Sequence, residues 1–460
     1  MATARGEARV GGGRGAGGMF SALAHRNFRL FWAGAFLSNT GTWTQTVAQG
    51  WLVLQLTDSA SWLGVDSFMA TVPALLLTLL GGVFADLVDR KRLLILTQVG
   101  AGGSALALAA LLAAGVVEGP RDVWFVLALT FVTGCCWAIA GPSYQAFAYD
   151  LVGREDLANA VALNSAQFQL SRVIGPVLAA LTIQLFGLAG CFLVNGLSYG
   201  AIVLALSRVR FADKVGGEGA AAAEGARGDE SSAEGATREG ETRRAVDERH
   251  GAGPHSLRDT RALWRDLVEG VRYARARPRV RLLMLCTAVV SVFGSPYLTL
   301  MPLFARDVFG WGETGLSLLM GTAGAGALCG ALVIAYLGDF ERKGWLVLGA
   351  ALSAGLCLMA FAWAPGAPLA LAVLFVTGGS MVCFFSVCNT LLQQLVTDRM
   401  RGRVMSIWIM CFIGAMPFGN LLGGKAADVF GPRLTVLACG LFISLFVSLV
   451  GLRERRMGEI

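Results

Sequence analysis

Ser38, Thr42, Gln45 and Gln49 recur at spacings of four, three and four inside an otherwise apolar run. That spacing puts all four on one face of a helix. Their hydroxyl and amide groups bind other molecules by hydrogen bonding. Lipid would penalise such a face, so it must line a cavity or pack on another helix. Tyr144 and Gln145, in a later apolar run, are candidates for the same lining. Arg172 is the deepest charge: it lies fifteen residues from both Leu157 and Gly187, about 22 Å of helix each way. No acidic residue sits at comparable depth, so Arg172 either binds an anionic or oxygen-rich substrate or bonds backbone carbonyls and amide side chains. Asp66 is the best-placed carboxylate for binding a proton. It stands twenty residues from Asp86, about 30 Å along a helix, so the two mark opposite membrane faces. Arg403 and Lys425 are disposed in the same way along a later run. Gly175-Pro176 should kink its helix, because proline removes a backbone donor.

Other chemistries find no residues. All ten cysteines lie inside apolar runs, and none has metal or haem spacing to a histidine. His25, His250 and His255 fall in tails or linker. The run Gly11-Gly12-Gly13-Arg14-Gly15 lacks the Lys-Ser/Thr ending of a phosphate loop, which argues against ATP as energy source. Gly324, Gly326 and Gly330 are read as small-residue helix packing, not as a dinucleotide fingerprint. The expectation is a protein that is not an enzyme and uses no metal or cofactor.

The elements that position these residues are membrane helices. Of 460 residues, 55% are hydrophobic and 15% charged, and the mean hydropathy is +0.61. A soluble domain carries about 25% charged residues, and a span needs roughly 20 apolar residues. Twelve apolar runs can be marked, near 30–56, 62–85, 93–117, 123–148, 159–186, 187–207, 280–305, 314–337, 345–364, 368–394, 404–430 and 433–452. No alternation suited to a β-barrel is present. Basic residues collect before the first run, in every second loop and at the C-terminus, whereas 57–61 has none. The positive-inside rule then puts both termini in the cytoplasm. The net charge of +7 is accordingly a topology signal and not a nucleic-acid footprint.

The fold class is therefore all-α integral membrane, with twelve transmembrane helices in two six-helix halves. The expected organisation is a disordered cytoplasmic tail (1–24), an N-terminal half (25–207), a disordered linker (208–256), an amphipathic cytoplasmic helix (257–279), a C-terminal half (280–453) and a tail (454–460). The linker is Ala/Gly/Glu/Arg-rich and cannot bury a core. In the amphipathic helix, Arg272, Arg275, Arg277 and Arg279 would face anionic headgroups. The halves echo one another at a shift of 244 residues. Phe131-Val132-Thr133-Gly134 falls on Phe375-Val376-Thr377-Gly378, Gly175 on Gly419, and Phe186-Gly187 on Phe430-Gly431. That order is what a duplicated unit leaves behind.

Four segments carry a resemblance to a known family. They are Asn39-Thr40-Gly41-Thr42-Trp43 with Gln49-Gly50-Trp51, then Gly81-Gly82-Val83-Phe84-Ala85-Asp86 with Asp89-Arg90-Lys91-Arg92. The others are Arg172-Val173-Ile174-Gly175-Pro176 and Asp398-Arg399-Met400-Arg401-Gly402-Arg403. Over residues 25–455, linker excepted, the chain resembles major facilitator superfamily transporters, in the branch of enterobactin exporters and macrolide efflux pumps known as transmembrane secretion effectors. It departs from the superfamily pattern at Leu87 and Ala179-Ala180, and its fourth span lacks the arginine of many proton-coupled exporters.

The resemblance implies a monomeric, proton-coupled exporter of a small hydrophobic or amphipathic molecule, such as a drug, secondary metabolite or siderophore, working by alternating access. It implies that spans two and eleven meet across the interface between halves. Gly82, Asp86, Arg90 and Arg403 would form an inner latch, with Lys425 meeting Asp66 at the outer side. Four lysines against thirty-four arginines suggest a GC-rich bacterial genome, hence a bacterial plasma membrane. The same residues leave open an importer or lipid flippase, and a non-transporting sensor or scaffold on the same fold.

Overall fold

The computed structural model describes residues 20–87, 89–152, 155–209, 260–338 and 343–453. Most of the expected tails and linker lie outside these, as do the side chain of Asp86 and the surroundings of Gly82. Among the described residues the protein is helical. A short 3-10 turn (Ser21–Ala24) leads into α1 (Arg26–Thr57), α2 (Ala60–Leu87), α3 (Arg90–Ala113), α4 (Val123–Asp150) and α5 (Leu157–Arg208). After residues 210–259 come α6 (Thr260–Ala276), α7 (Pro278–Gly294), α8 (Gly312–Leu337), α9 (Lys343–Ala362) and α10 (Ala367–Leu395). The chain ends in α11 (Asp398–Phe412), α12 (Met416–Phe430) and α13 (Pro432–Arg453). Ten helical stretches among the described residues are long and apolar enough to cross a membrane. α1 is not one of them, because its run of Ser, Asn, Thr and Gln lowers its hydropathy.

The 52-residue α5 is about twice the length a span requires. Its one non-helical residue is Gly187, at φ 68° and ψ −172°. Only glycine takes that conformation without strain, and it falls at the boundary expected between the fifth and sixth runs. At Gly175-Pro176, where a kink is expected, the backbone dihedrals stay helical. Gly175 also matters through size. A Cβ at this position would run into Trp43 and the Thr40 carbonyl, so α1 and α5 touch backbone to backbone.

Two runs read as single spans are interrupted. α7 stops at Ser295-Pro296 and continues to Val308 through the turns Pro296–Thr299 and Met301–Leu303 and a π-turn, Phe304–Val308. α11 and α12 are separated at 413–415, just before Pro417. Each proline withholds the N–H that the carbonyl four residues earlier would accept. The Val292 carbonyl freed by Pro296 lies where a Cβ on Gly419 would be, so α12 packs directly on it.

The internal echo acquires structural meaning here. Gly134 packs α4 against the Ala70 carbonyl of α2, and its counterpart Gly378 packs α10 against the Ala323 carbonyl of α8. Gly175 seats α5 on α1; Gly419 seats α12 on α7. Gly187 and Gly431, also paired by the shift, both take positive φ, at 68° and 82°.

The amphipathic segment forms α6. Its arginines Arg272 and Arg275 are exposed, as are Arg277, which precedes α7, and Arg279 in the first turn of α7. Its other face packs on protein: Ala274 is buried, and Gly270 lies against Ile407 and Arg403 of α11. At the N-terminus His25 Nε2 lies 2.8 Å from Asp156 Oδ2. The Ser21 hydroxyl and His25 hold the Asp156 carboxyl below the usual carboxylate range.

Candidate functional site

A cavity of about 380 Å³ lies between α1, α2, α4, the second part of α5 and the helices after the linker segment. Thr42, Gln45 and Gln49 of α1 line it, together with Asp66, Thr130, Trp137, Asn195, Tyr199, Thr299 and Asn420. Asp66 is 8% exposed. Gln49 Nε2 donates to both its oxygens, at 2.8 and 2.9 Å, and Thr130 Oγ1 donates to Oδ1 at 3.1 Å. Gln49 Oε1 accepts from Gln45 Nε2 at 3.2 Å, and Gln45 Oε1 accepts from Asn195 Nδ2 at 2.6 Å. Asn195 Oδ1 in turn accepts from the Ser198 hydroxyl at 3.2 Å.

The carboxylate fixes the direction of this chain. An ionised carboxylate only accepts, so Gln49 must present its amide nitrogen, and each following amide is oriented by the one before. A proton on Asp66 would turn an acceptor into a donor and remove the reason for that orientation. The chain thus links one ionisable group to three helical segments through neutral side chains.

A second cavity, of about 350 Å³, holds Arg172. It is lined by residues of α5, α7, α10 and α11, including Gln169, Ser291, Tyr297, Phe385, Asn389, Trp408 and Phe412. Ser295, Leu298 and Met416 border both cavities. The Arg172 guanidinium stands 5.2 Å over the Trp43 ring, and Tyr297 lines the same cavity. Pro176 cannot bond the Arg172 carbonyl, and Gly324 of α8 lies against that oxygen. A third hollow, lined by Phe293, Leu422, Phe430 and Phe442, is apolar and offers no chemistry.

The structure thus gathers some expected residues and disperses others. Thr42, Gln45, Gln49 and Asp66 share one cavity; Arg172 occupies the other. Ser38 is buried outside both. Tyr144 packs on Phe31 with ring centroids 5.1 Å apart, and Gln145 is exposed; neither lines a described cavity. Lys425 does not meet Asp66: it is exposed, and the carboxylate's hydrogen bonds come from Gln49 and Thr130. Asp428, one turn further on, makes the helix-to-helix contact instead. Its carboxylate accepts from the Ala60 and Ser61 N–H groups at 2.6 and 3.0 Å and from the Ser59 hydroxyl at 2.7 Å, capping α2.

Further contacts at that end join helices before the linker segment to helices after it. Arg306 pairs with Asp58 at 2.5 Å, Ser67 and Thr299 lie 3.0 Å apart, and Gly64 and Gly424 allow α2 and α12 to touch. At the opposite end Arg90 pairs with Asp150 at 2.9 Å and Arg403 with Glu269 of α6 at 2.7 Å. Sequence reasoning missed Thr130 and Asn195, and of the two charges at the outer end of span eleven, Lys425 and Asp428, it gave the contact to Lys425. Asn195, a lone amide in its apolar run, was the signal available.

The profile of the transmembrane secretion effector family matches residues 17–218 and 248–457. The chain is 26% identical to the multidrug efflux pump Tap of Mycolicibacterium fortuitum, over 93% of this chain and 95% of that one. It is 25% identical to the staphyloferrin A transporter of Staphylococcus aureus, over 90% and 92%. It is 22% identical to macrolide efflux protein A of Streptococcus pyogenes, over 90% and 93%. Among solved structures, the nucleoside transporter NupG superposes with a TM-score of 0.66 at 13% identity, over 94% of this chain and 99% of that one. The peptide transporter POT in complex with sulfate superposes with a TM-score of 0.64 at 13% identity, over 94% and 95%. The protein is a multi-pass membrane transporter, not an enzyme, and it belongs to the transmembrane secretion effector family of the major facilitator superfamily.

Proposed function

We propose that the protein is a proton-coupled exporter that moves a small hydrophobic or amphipathic molecule out of a bacterial cytoplasm by alternating access. The observation carrying this reading is Asp66, a buried carboxylate held by Gln49 and Thr130 inside a cavity between helices. A proton entering there neutralises Asp66 and releases the amide chain that ties α1, α2 and α5 together. Such a change at one group biases a two-state packing. The chain works as a monomer, without ATP, and both termini face the cytoplasm.

In this reading α5 counts as two spans divided at Gly187, and α1 is the twelfth. The paired glycine crossings support two six-helix halves. The end joined by Asp428 and Arg306 is the outer side, in its closed arrangement. The latch expected of Asp86 and Arg403 belongs to the inner side, where Glu269 is a further partner for Arg403.

Everted membrane vesicles with an imposed inside-acid gradient test the proposal. Adding macrolides, siderophores and cationic dyes in turn should dissipate acidity for at least one class with wild-type protein. The response should vanish with Asp66→Asn. Transport that proceeds without any proton movement would overturn the coupling, and the absence of transport across the panel would favour a sensor on the same fold.

A further inference from the structure

The Arg172 cavity is lined by a guanidinium, an indole N–H and several hydroxyl and amide groups. Arg172 is half-buried, and among the described residues no carboxylate pairs with it. Asp66 belongs to the other cavity, across the wall formed by Ser295, Leu298 and Met416. Three further polar atoms on this cavity's lining are buried and without partners: Ser291 Oγ, Ser295 Oγ and Trp408 Nε1. Their residues are 1%, 5% and 7% exposed. An indole N–H can only donate, and a guanidinium can only donate. Buried donors left unmet are costly, and a ligand acceptor reaching these groups would complete them.

The complement of this set is an oxyanion. A carboxylate offers two acceptor oxygens and matches a guanidinium in charge and plane. The rest of the wall is aromatic. The Phe385 and Phe412 rings lie 4.3 Å apart, and Trp408 stacks on Phe412 at 5.4 Å. A polar corner beside an aromatic wall suits a molecule with one charged end and a flat apolar body. From this juxtaposition we infer that the exported substrate is an amphipathic organic anion, bound through its carboxylate at Arg172, Trp408 and Ser291, with its ring system against Phe385 and Phe412. This rests on the exporter reading and adds to it a division of labour. One cavity takes the proton, and the neighbouring one takes the anion.

Titration calorimetry on the full chain in phosphatidylcholine nanodiscs tests this with three probes of one shape: 1-naphthoate, 1-naphthamide and 1-naphthylmethylammonium. Wild-type protein should bind the carboxylate at least tenfold more tightly than the amide or the ammonium. Arg172→Gln should abolish that preference. Trp408→Phe and Ser291→Ala, which keep the fold's apolar contacts, should each reduce it severalfold and carry the test should the arginine variant not fold. Equal or tighter binding of the amide or ammonium, or binding of none of the three, overturns the inference. Displacement of naphthoate by added phosphatidylglycerol would overturn the substrate assignment in favour of a lipid headgroup. A lost anion preference alongside intact proton-coupled transport sinks this inference alone; anion binding without transport sinks the exporter reading alone.

Discussion

The Gln49 amide nitrogen lies 2.8 and 2.9 Å from the two carboxylate oxygens of Asp66. One side chain of α1 thereby reads the charge state of one side chain of α2. A hydrogen bond to a charged group contributes about 1.5–3 kcal/mol. The pair should therefore behave as a unit in thermal unfolding of the detergent-solubilised protein. Gln49→Leu and Asp66→Asn should be non-additive by about 1 kcal/mol or more. Additive losses would mean that the two side chains do not cooperate.

Asp428 caps the start of α2 from the far end of α12. Replacing a capping carboxylate costs about 1 kcal/mol. Asp428→Ala should accelerate amide exchange of Ala60 and Ser61 roughly fivefold, a factor that follows from that figure. Lys425→Ala should leave the same amides unchanged, because Lys425 is exposed. Equal effects from both substitutions would restore the lysine contact that the sequence alone suggested.

Helix crossings here depend on missing side chains. A Cβ at Gly324 would stand 2.5 Å from the Arg172 carbonyl oxygen, whereas one at Gly321 would stand 3.8 Å from Pro176. Gly324→Ala should lower stability by about 1–3 kcal/mol, the usual effect of overpacking. Gly321→Ala should be nearly neutral. Melting curves of the two variants in the same detergent make the comparison, and a harmless Gly324→Ala would show that α5 and α8 are not in backbone contact.

α6 rests on α11 through Gly270 and through the half-exposed pair Glu269–Arg403. An ion pair exposed to this degree contributes about 0–1 kcal/mol. Glu269→Gln should therefore change protease resistance of the linker junction little. Gly270→Leu, whose side chain would displace Ile407, should free α6 and make the junction readily cleaved. Similar cleavage in both variants would mean that the ion pair holds the helix.

Much of this architecture was legible in the amino-acid sequence because membrane helices announce themselves by length and hydropathy. The boundary at Gly187 and the duplicated glycines followed from simple pattern. Interruptions at Pro296 and Pro417 were not legible: proline within an apolar run is compatible with either a continuous or a broken helix, and tertiary packing decides. Of the polar face of α1, Thr42, Gln45 and Gln49 line a cavity. Ser38 is buried outside it, because one helical face spans both a cavity and a packing seam. Asp428 was passed over in favour of Lys425, since spacing along a helix does not reveal which charge turns inward. Arg172 was marked by its depth alone, whereas its surroundings, contributed by α7, α10 and α11, exist only once the chain is folded.

In the proposed cycle Asp66 is the group that takes up the coupled proton. Infrared difference spectroscopy of the reconstituted protein, between alkaline and acid pH, reads carboxyl protonation directly. A carboxylic-acid C=O band should form on acidification in wild type and be missing in Asp66→Asn. An identical difference spectrum in the two proteins would contradict it.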